Sequence, residues 1–138
     1  LVADALLRYL VAALATADPE RGRGAQAVRR AVAVAQAYVR EHYRQPLTAA
    51  EVAAAAGVSA SHLHRGFRAE TGTTLVAYVH GLRLAAAAEL LRDTDETVLA
   101  VAHEVGFASQ SHLTRLFTRQ FGCPPGRYRT RARARGVE

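Results

Sequence analysis

Nearly the same dozen residues occur twice in this chain, as SHLHRGFRAETG at 61–72 and SHLTRLFTRQFG at 111–122, fifty positions apart. With the comparison started two residues earlier, the identities are Ser59/Ser109, Ser61/Ser111, His62/His112, Leu63/Leu113, Arg65/Arg115, Phe67/Phe117 and Gly72/Gly122. None is an alanine match, so the Ala-rich background does not generate the signal. A repeat of this kind marks a duplicated structural unit, and any fold for the chain has to contain that unit twice.

The punctuation around each copy defines the unit. T-A-A-E at 48–51 is a capping box that opens a short helix through Ala56. Gly57 turns the chain, Ser59 is placed to cap the following helix, and Gly72 stops it. The second copy repeats the scheme, with a short helix over about 97–104, a turn at Gly106, a helix from about Ser109 to Phe121 and a stop at Gly122. Leu63/Phe67 and Leu113/Phe117 are i, i+4 pairs facing a core, while residues 61, 64, 65, 68 and 111, 114, 115, 118 share outer faces. A short helix, a glycine turn and a longer helix with a polar, basic outer face form the helix-turn-helix arrangement, whose second helix enters the major groove of DNA.

Between the copies, Leu75, Tyr78, Val79, Leu82, Ala86 and Leu90 mark a longer helix over about 74–92. At ~1.5 Å per residue it spans roughly 27 Å. With the flanking units added, the two reading helices, about 60–71 and 110–121, are expected roughly 34 Å apart, one turn of duplex. Upstream, Val28, Val32, Ala35, Val39 and Tyr43 form an apolar stripe that ends before Pro46. Residues 1–15 read as helical from Leu6, Leu10 and Leu14, and TADPERGRGA reads as a linker from its Pro and Gly content. Pro124 and Pro125 restart a final Arg-rich helix, whose earlier arginines are expected to belong to it and whose later ones to fray. No stretch alternates as a strand would. The expected fold is all-α, two helix-turn-helix subdomains joined by a long central helix in a homeodomain-like tandem. Its expected limits are 1–17 for an N-terminal helical segment, 18–25 for a linker, and 26–135 for the main domain. Within that domain the first helix-turn-helix takes about 48–72, the linker helix about 74–92 and the second helix-turn-helix about 97–122.

Charge narrows the partner. The formal net charge is +6, and all eighteen basic side chains other than histidine are arginine, the planar fork suited to phosphate oxygens and guanine edges. Between Glu104 and Glu138 there is no acidic residue, while Arg115, Arg119, Arg127, Arg129, Arg131, Arg133 and Arg135 fall there. Such a block predicts a polyanionic partner or a disordered basic tail. No uninterrupted apolar run reaches the ~18 residues of a membrane helix, so no membrane partner is expected. The opening LVADALLRYLVAALA is broken by Asp4 and Arg8, unlike a cleavable signal. A start inside a helical pattern without Met predicts a piece cut from a longer protein. Cys123 is the single cysteine, which excludes an intrachain disulfide and a multi-cysteine zinc site and fits a reducing cytoplasm. His62 and His64 diverge on their helix, so no metal is expected. There are no paired carboxylates, no Ser/His/Asp order and no phosphate loop, so no catalytic residues, no cofactor and no enzyme activity are expected.

Residues from about 28 to 133 resemble the DNA-binding domain of the AraC/XylS family of bacterial transcription regulators. The strongest match is VAHEVGFASQSHLTRLFTRQFGCPPGRYR at 101–129; LTAAEVAAAAGVSASHLHRGFRAETG at 47–72 and GLRLAAAAELL at 81–91 fit as well. The resemblance implies a sequence-specific transcriptional regulator, an activator, acting on double-stranded promoter or operator DNA in the cytoplasm at the bacterial nucleoid. It further implies that residues 1–17 end an N-terminal regulatory or dimerisation domain, with RNA polymerase and a homodimer through the N-terminal region as further partners. Two positions depart from the family pattern. Gly66 stands where a large apolar residue is usual, as Leu116 does in the second copy, and Leu113 stands where an aromatic is common. A helix-interior glycine costs ~1 kcal/mol relative to alanine, which predicts a looser first unit.

Arg65 and Arg115 occupy matched positions that the family uses for groove contacts, and are the foremost base-reading candidates; the alternatives for them are phosphate or a neighbouring carboxylate. Ser61 and His64 in the first unit, and Gln110, Ser111 and Thr114 in the second, share those exposed faces. Arg68, Arg119 and Arg127 are phosphate candidates. Thr48, Ser59 and Ser109 cap helices whose N-termini also suit a phosphate, because free N–H groups point there. The competing reading is a non-specific basic helical protein that binds RNA or DNA. It requires surface aromatics for base stacking, whereas Phe67, Phe117 and Phe121 read as core-facing.

Overall fold

Hydroxyl side chains set where the helices begin. The computed structural model describes residues 19–136 as seven helices without a strand: α1 (Pro19–His42), α2 (Ala49–Ala56), α3 (Ala60–Thr71), α4 (Leu75–Asp93), α5 (Val98–Glu104), α6 (Gln110–Phe121) and α7 (Pro125–Gly136). The side-chain oxygens of Thr48, Ser59, Thr74, Thr97 and Ser109 each accept a bond, at 3.0–3.1 Å, from the backbone N–H three residues on. Each thereby satisfies one of the donors that a helix start leaves without a partner. The matched stops Gly72 and Gly122 adopt φ of 75° and 77° and return their N–H to Arg68 O and Thr118 O. Side chains rarely adopt that backbone region, which accounts for the glycine in both copies.

Two cores follow from the repeat. In the first, α1 contributes Val32, Ala35 and Val39, α2 Val52 and Ala53, and α3 Leu63 and Phe67. In the second, α5 supplies Val101 and Ala102, the α5–α6 turn Val105 and Phe107, and α6 Leu113 and Phe117. Helix α4 belongs to both: Leu75 and Val79 enter the first core, and Leu84, Ala86, Ala87, Ala88 and Leu91 enter the second. A helix buried on different sides along its length carries apolar residues around much of its circumference, which is what its sequence shows.

Gly66 is buried against α1 rather than beside a gap. A Cβ there would lie 2.9 Å from Val28 Cγ1 and 3.8 Å from Val32 Cγ2. In the first unit α1 brings in the atoms that Leu116 provides for itself in the second, where it packs partly buried on the core. The space is therefore filled, and the glycine permits close approach of α1.

Three sequence expectations change. The linker expected at 18–25 is helical from Pro19 onward; proline is tolerated in a first turn, and Gly22 and Gly24 are exposed and cost only propensity there. The later arginines do not fray. α7 continues to Gly136, Arg129 Nε donates to Leu91 O at 2.8 Å with its Nη2 on Glu96 O, and Arg133 Nη2 donates to Thr94 O at 2.6 Å. Cationic donors on the carbonyls at and just beyond the C-terminal end of α4 also complement its dipole. Phe121 is 37% exposed rather than core-facing, with one ring face stacked on Phe117 at 4.3 Å. The helical segment expected over 1–17 lies outside the described residues.

Candidate nucleic-acid interface

Burial of one face of α3 and α6 dictates what the other face offers. Leu63 and Phe67 are 1% and 0% exposed, and Leu113 and Phe117 are both 0% exposed. The helical period then turns the remaining positions outward. On α3, Ser61, His64, Arg65 and Arg68 are all exposed; on α6, Gln110, Ser111, Arg115 and Arg119 are exposed and Thr114 is half-buried. Thr118, which sequence reasoning placed on this face without marking it as a candidate, donates through its hydroxyl to Thr114 O at 2.7 Å. Gln110, Ser111, Thr114, Arg115, Thr118 and Arg119 together line one open depression of about 700 Å³. Arg65 and Arg115 form no ion pair among the described residues.

The cap candidates Thr48, Ser59 and Ser109 are exposed at the starts of α2, α3 and α6, their oxygens already engaged by helix N–H groups. Arg127 is exposed on the first turn of α7. Cys123 is buried, an inert position for a thiol.

A second cluster lies where the two units meet. Arg83 on α4 donates from Nε to Tyr43 O at 2.7 Å and from Nη2 to Gln45 O at 3.1 Å, and its guanidinium lies 5.8 Å from the Phe107 ring centroid. His80 packs against the rings of Phe107 and His112, at 6.0 and 5.4 Å between centroids. The repeat partners thus diverge: His62 is exposed, whereas His112 is half-buried in this joint. Sequence reasoning missed the joint, although an arginine flanked by Leu82 and Leu84 inside an apolar helix was a signal for it.

Burial, then the neighbouring His112 and Arg83, hold the His80 pKa below its ordinary value. A depressed folded pKa means that the unfolded chain binds the proton more readily, between the folded value and about 6.5. The stability contributed by neutral His80 is therefore present above about pH 6.5 and is lost as pH falls through the folded value. Chemical denaturation between pH 7.5 and 5 is expected to show this decline, and His80→Gln is expected to make it shallower. An identical slope in the variant would remove His80 as its source.

Comparison with known proteins places this geometry. A helix-turn-helix domain model matches residues 52–131. The chain is 40% identical over 95 residues to the regulatory protein SoxS of Escherichia coli K12, covering 69% of this chain and 89% of SoxS. It is 35% identical over 92 residues to the multiple antibiotic resistance protein MarA of the same organism, covering 67% and 72%. Among solved structures, it is similar to the DNA-binding domain of the global transcriptional factor AdpA in complex with a target DNA, with TM-score 0.72 and 34% identity over 75% of this chain and 94% of that one. A probable AraC family transcriptional regulator from Rhodopseudomonas palustris gives TM-score 0.69 and 30% identity over 74% and 96%. Tandem helix-turn-helix units on a shared central helix, a domain match over more than half of the sequence, and relatives of this identity over most of their own length agree: the chain belongs to the AraC/XylS family of transcriptional regulators.

Proposed function

We propose that the protein binds double-stranded DNA sequence-specifically as a transcriptional regulator, reading two successive major-groove segments with α3 and α6. The observation that carries this reading is the paired faces: two matched helices, each locked by a buried Leu–Phe pair, each presenting an unpaired arginine among small hydrogen-bonding side chains. The DNA-bound AdpA domain of the same fold supports it. Arg65 and Arg115 read bases, assisted by Ser61, His64, Gln110, Ser111 and Thr114. Arg68, Arg119 and Arg127 hold phosphates, as do the helix starts at Thr48, Ser59 and Ser109.

In this reading residues 26–135 are the DNA-binding domain and 1–17 the end of a regulatory or dimerisation domain. That region supports a homodimer, and the regulator activates through RNA polymerase at the nucleoid. Duplex and structured RNA of equal length, compared at moderate salt, test the reading. A clear preference for duplex is expected, whereas equal affinity would favour the non-specific alternative, which requires aromatic faces open to bases; Phe121, though 37% exposed, already stacks on Phe117.

Phosphate contacts release counterions, so affinity should fall linearly with salt on logarithmic axes. Arg119→Ala is expected to weaken cognate and random duplexes about equally and to reduce the salt slope by about 1. A selective loss on the cognate site would instead assign Arg119 to base recognition.

A further inference from the structure

We infer that Arg83 is a positioning residue that fixes the spacing between the two reading helices, so that the protein measures the number of base pairs between its half-sites. The inference rests on the two-probe reading above. Helix α4 alone is a weak ruler. Gly81 lies inside it, exposed and with open space where a side chain would be, between Val79, buried in the first core, and Leu84, buried in the second, with only the partly buried Leu82 beyond it still packing on the first. A mid-helix glycine lowers the resistance to bending there.

A second attachment bypasses that point. Arg83 reaches from α4 to the carbonyls of Tyr43 and Gln45, in the loop between α1 and α2, while its guanidinium faces Phe107 in the turn of the second unit. The backbones are pressed together at the same place: a Cβ on Gly106 would lie 2.6 Å from Tyr43 O and 2.9 Å from Arg83 Nε, and Gly106 has φ of 101°. Tyr43 itself packs on both cores. Two units tied at α4 and again through Arg83 cannot pivot independently, as two units on one bendable helix could. The planar guanidinium serves both carbonyls at once, a geometry that an ammonium does not reproduce.

The test uses bipartite duplexes recovered by selection, the same duplexes with one or two base pairs inserted between half-sites, and each half-site alone. An inserted pair turns the second half-site by about 34° and displaces it by about 3.4 Å. The wild type is expected to lose on the order of 100-fold on insertion, because simultaneous engagement is what a rigid link provides. Arg83→Ala is expected to lose less than about 10-fold on insertion while binding isolated half-sites as the wild type does, with Arg83→Lys in between. An insertion penalty unchanged in Arg83→Ala would overturn the inference, and so would an equal loss on every duplex, half-sites included, which marks a merely structural side chain. A wild type indifferent to paired half-sites at any spacing would instead overturn the two-probe reading itself.

Discussion

Arg115→Ala is expected to weaken binding to a cognate duplex by roughly 5- to 150-fold, about 1–3 kcal/mol, while affinity for random duplex falls far less. The side chain is exposed on α6, unpaired among the described residues, and set one helical turn from Ser111 on the same face. An arginine so placed has no structural partner to lose, so its removal should leave the unfolding midpoint within the small range of surface substitutions. Two titrations and one melt separate the possibilities. Equal losses on both duplexes would make Arg115 a phosphate contact, and a lowered midpoint would give it a structural function. Arg65→Ala is the matched experiment for the first unit and should alter preference at a different block of the site.

Phe117→Ala is expected to cost about 3–5 kcal/mol of stability, read from denaturant unfolding. Its ring is wholly buried, stacks on Phe121 at 4.3 Å and meets Tyr128 edge-on at 5.2 Å. Truncation removes its transfer energy and leaves a cavity between α6, α7 and α4. Against the ~5–15 kcal/mol that typical domains possess, such a loss can unfold the second unit outright. Because the two cores are distinct clusters, the first unit should keep part of its helix signal. A loss below about 1 kcal/mol would show that the site is less tightly packed than its burial indicates.

Much of this was legible in the sequence because the repeat carries its own punctuation. Ser59 and Ser109, Gly72 and Gly122, Leu63/Phe67 and Leu113/Phe117 each have one local physical job, so seeing them twice gave the caps, the stops and the cores together. The outward faces followed by subtraction. What stayed hidden depends on contacts between residues distant in the chain. Gly66 looked like a local defect because Val28 fills its space from another helix. Arg133 looked like part of a frayed end because its acceptor, Thr94 O, lies nearly forty residues away. Arg83 gave only the faint signal of a charge between Leu82 and Leu84, and His112 looked equivalent to the exposed His62; the meaning of both, and of His80, appears only once α4 is set against both loops. The helix over 19–25 was missed for a different reason: proline and glycine mark a break in general, yet a proline at a helix start and two exposed glycines leave the helix intact.

Selection of bound sites from a random duplex library tests the central claim most directly. The account predicts a bipartite motif, two blocks centred about 10 base pairs apart, with the block read by α6 degenerating in Arg115→Ala and the other in Arg65→Ala. Enrichment of a single block, or of sequences without a shared motif, would contradict it.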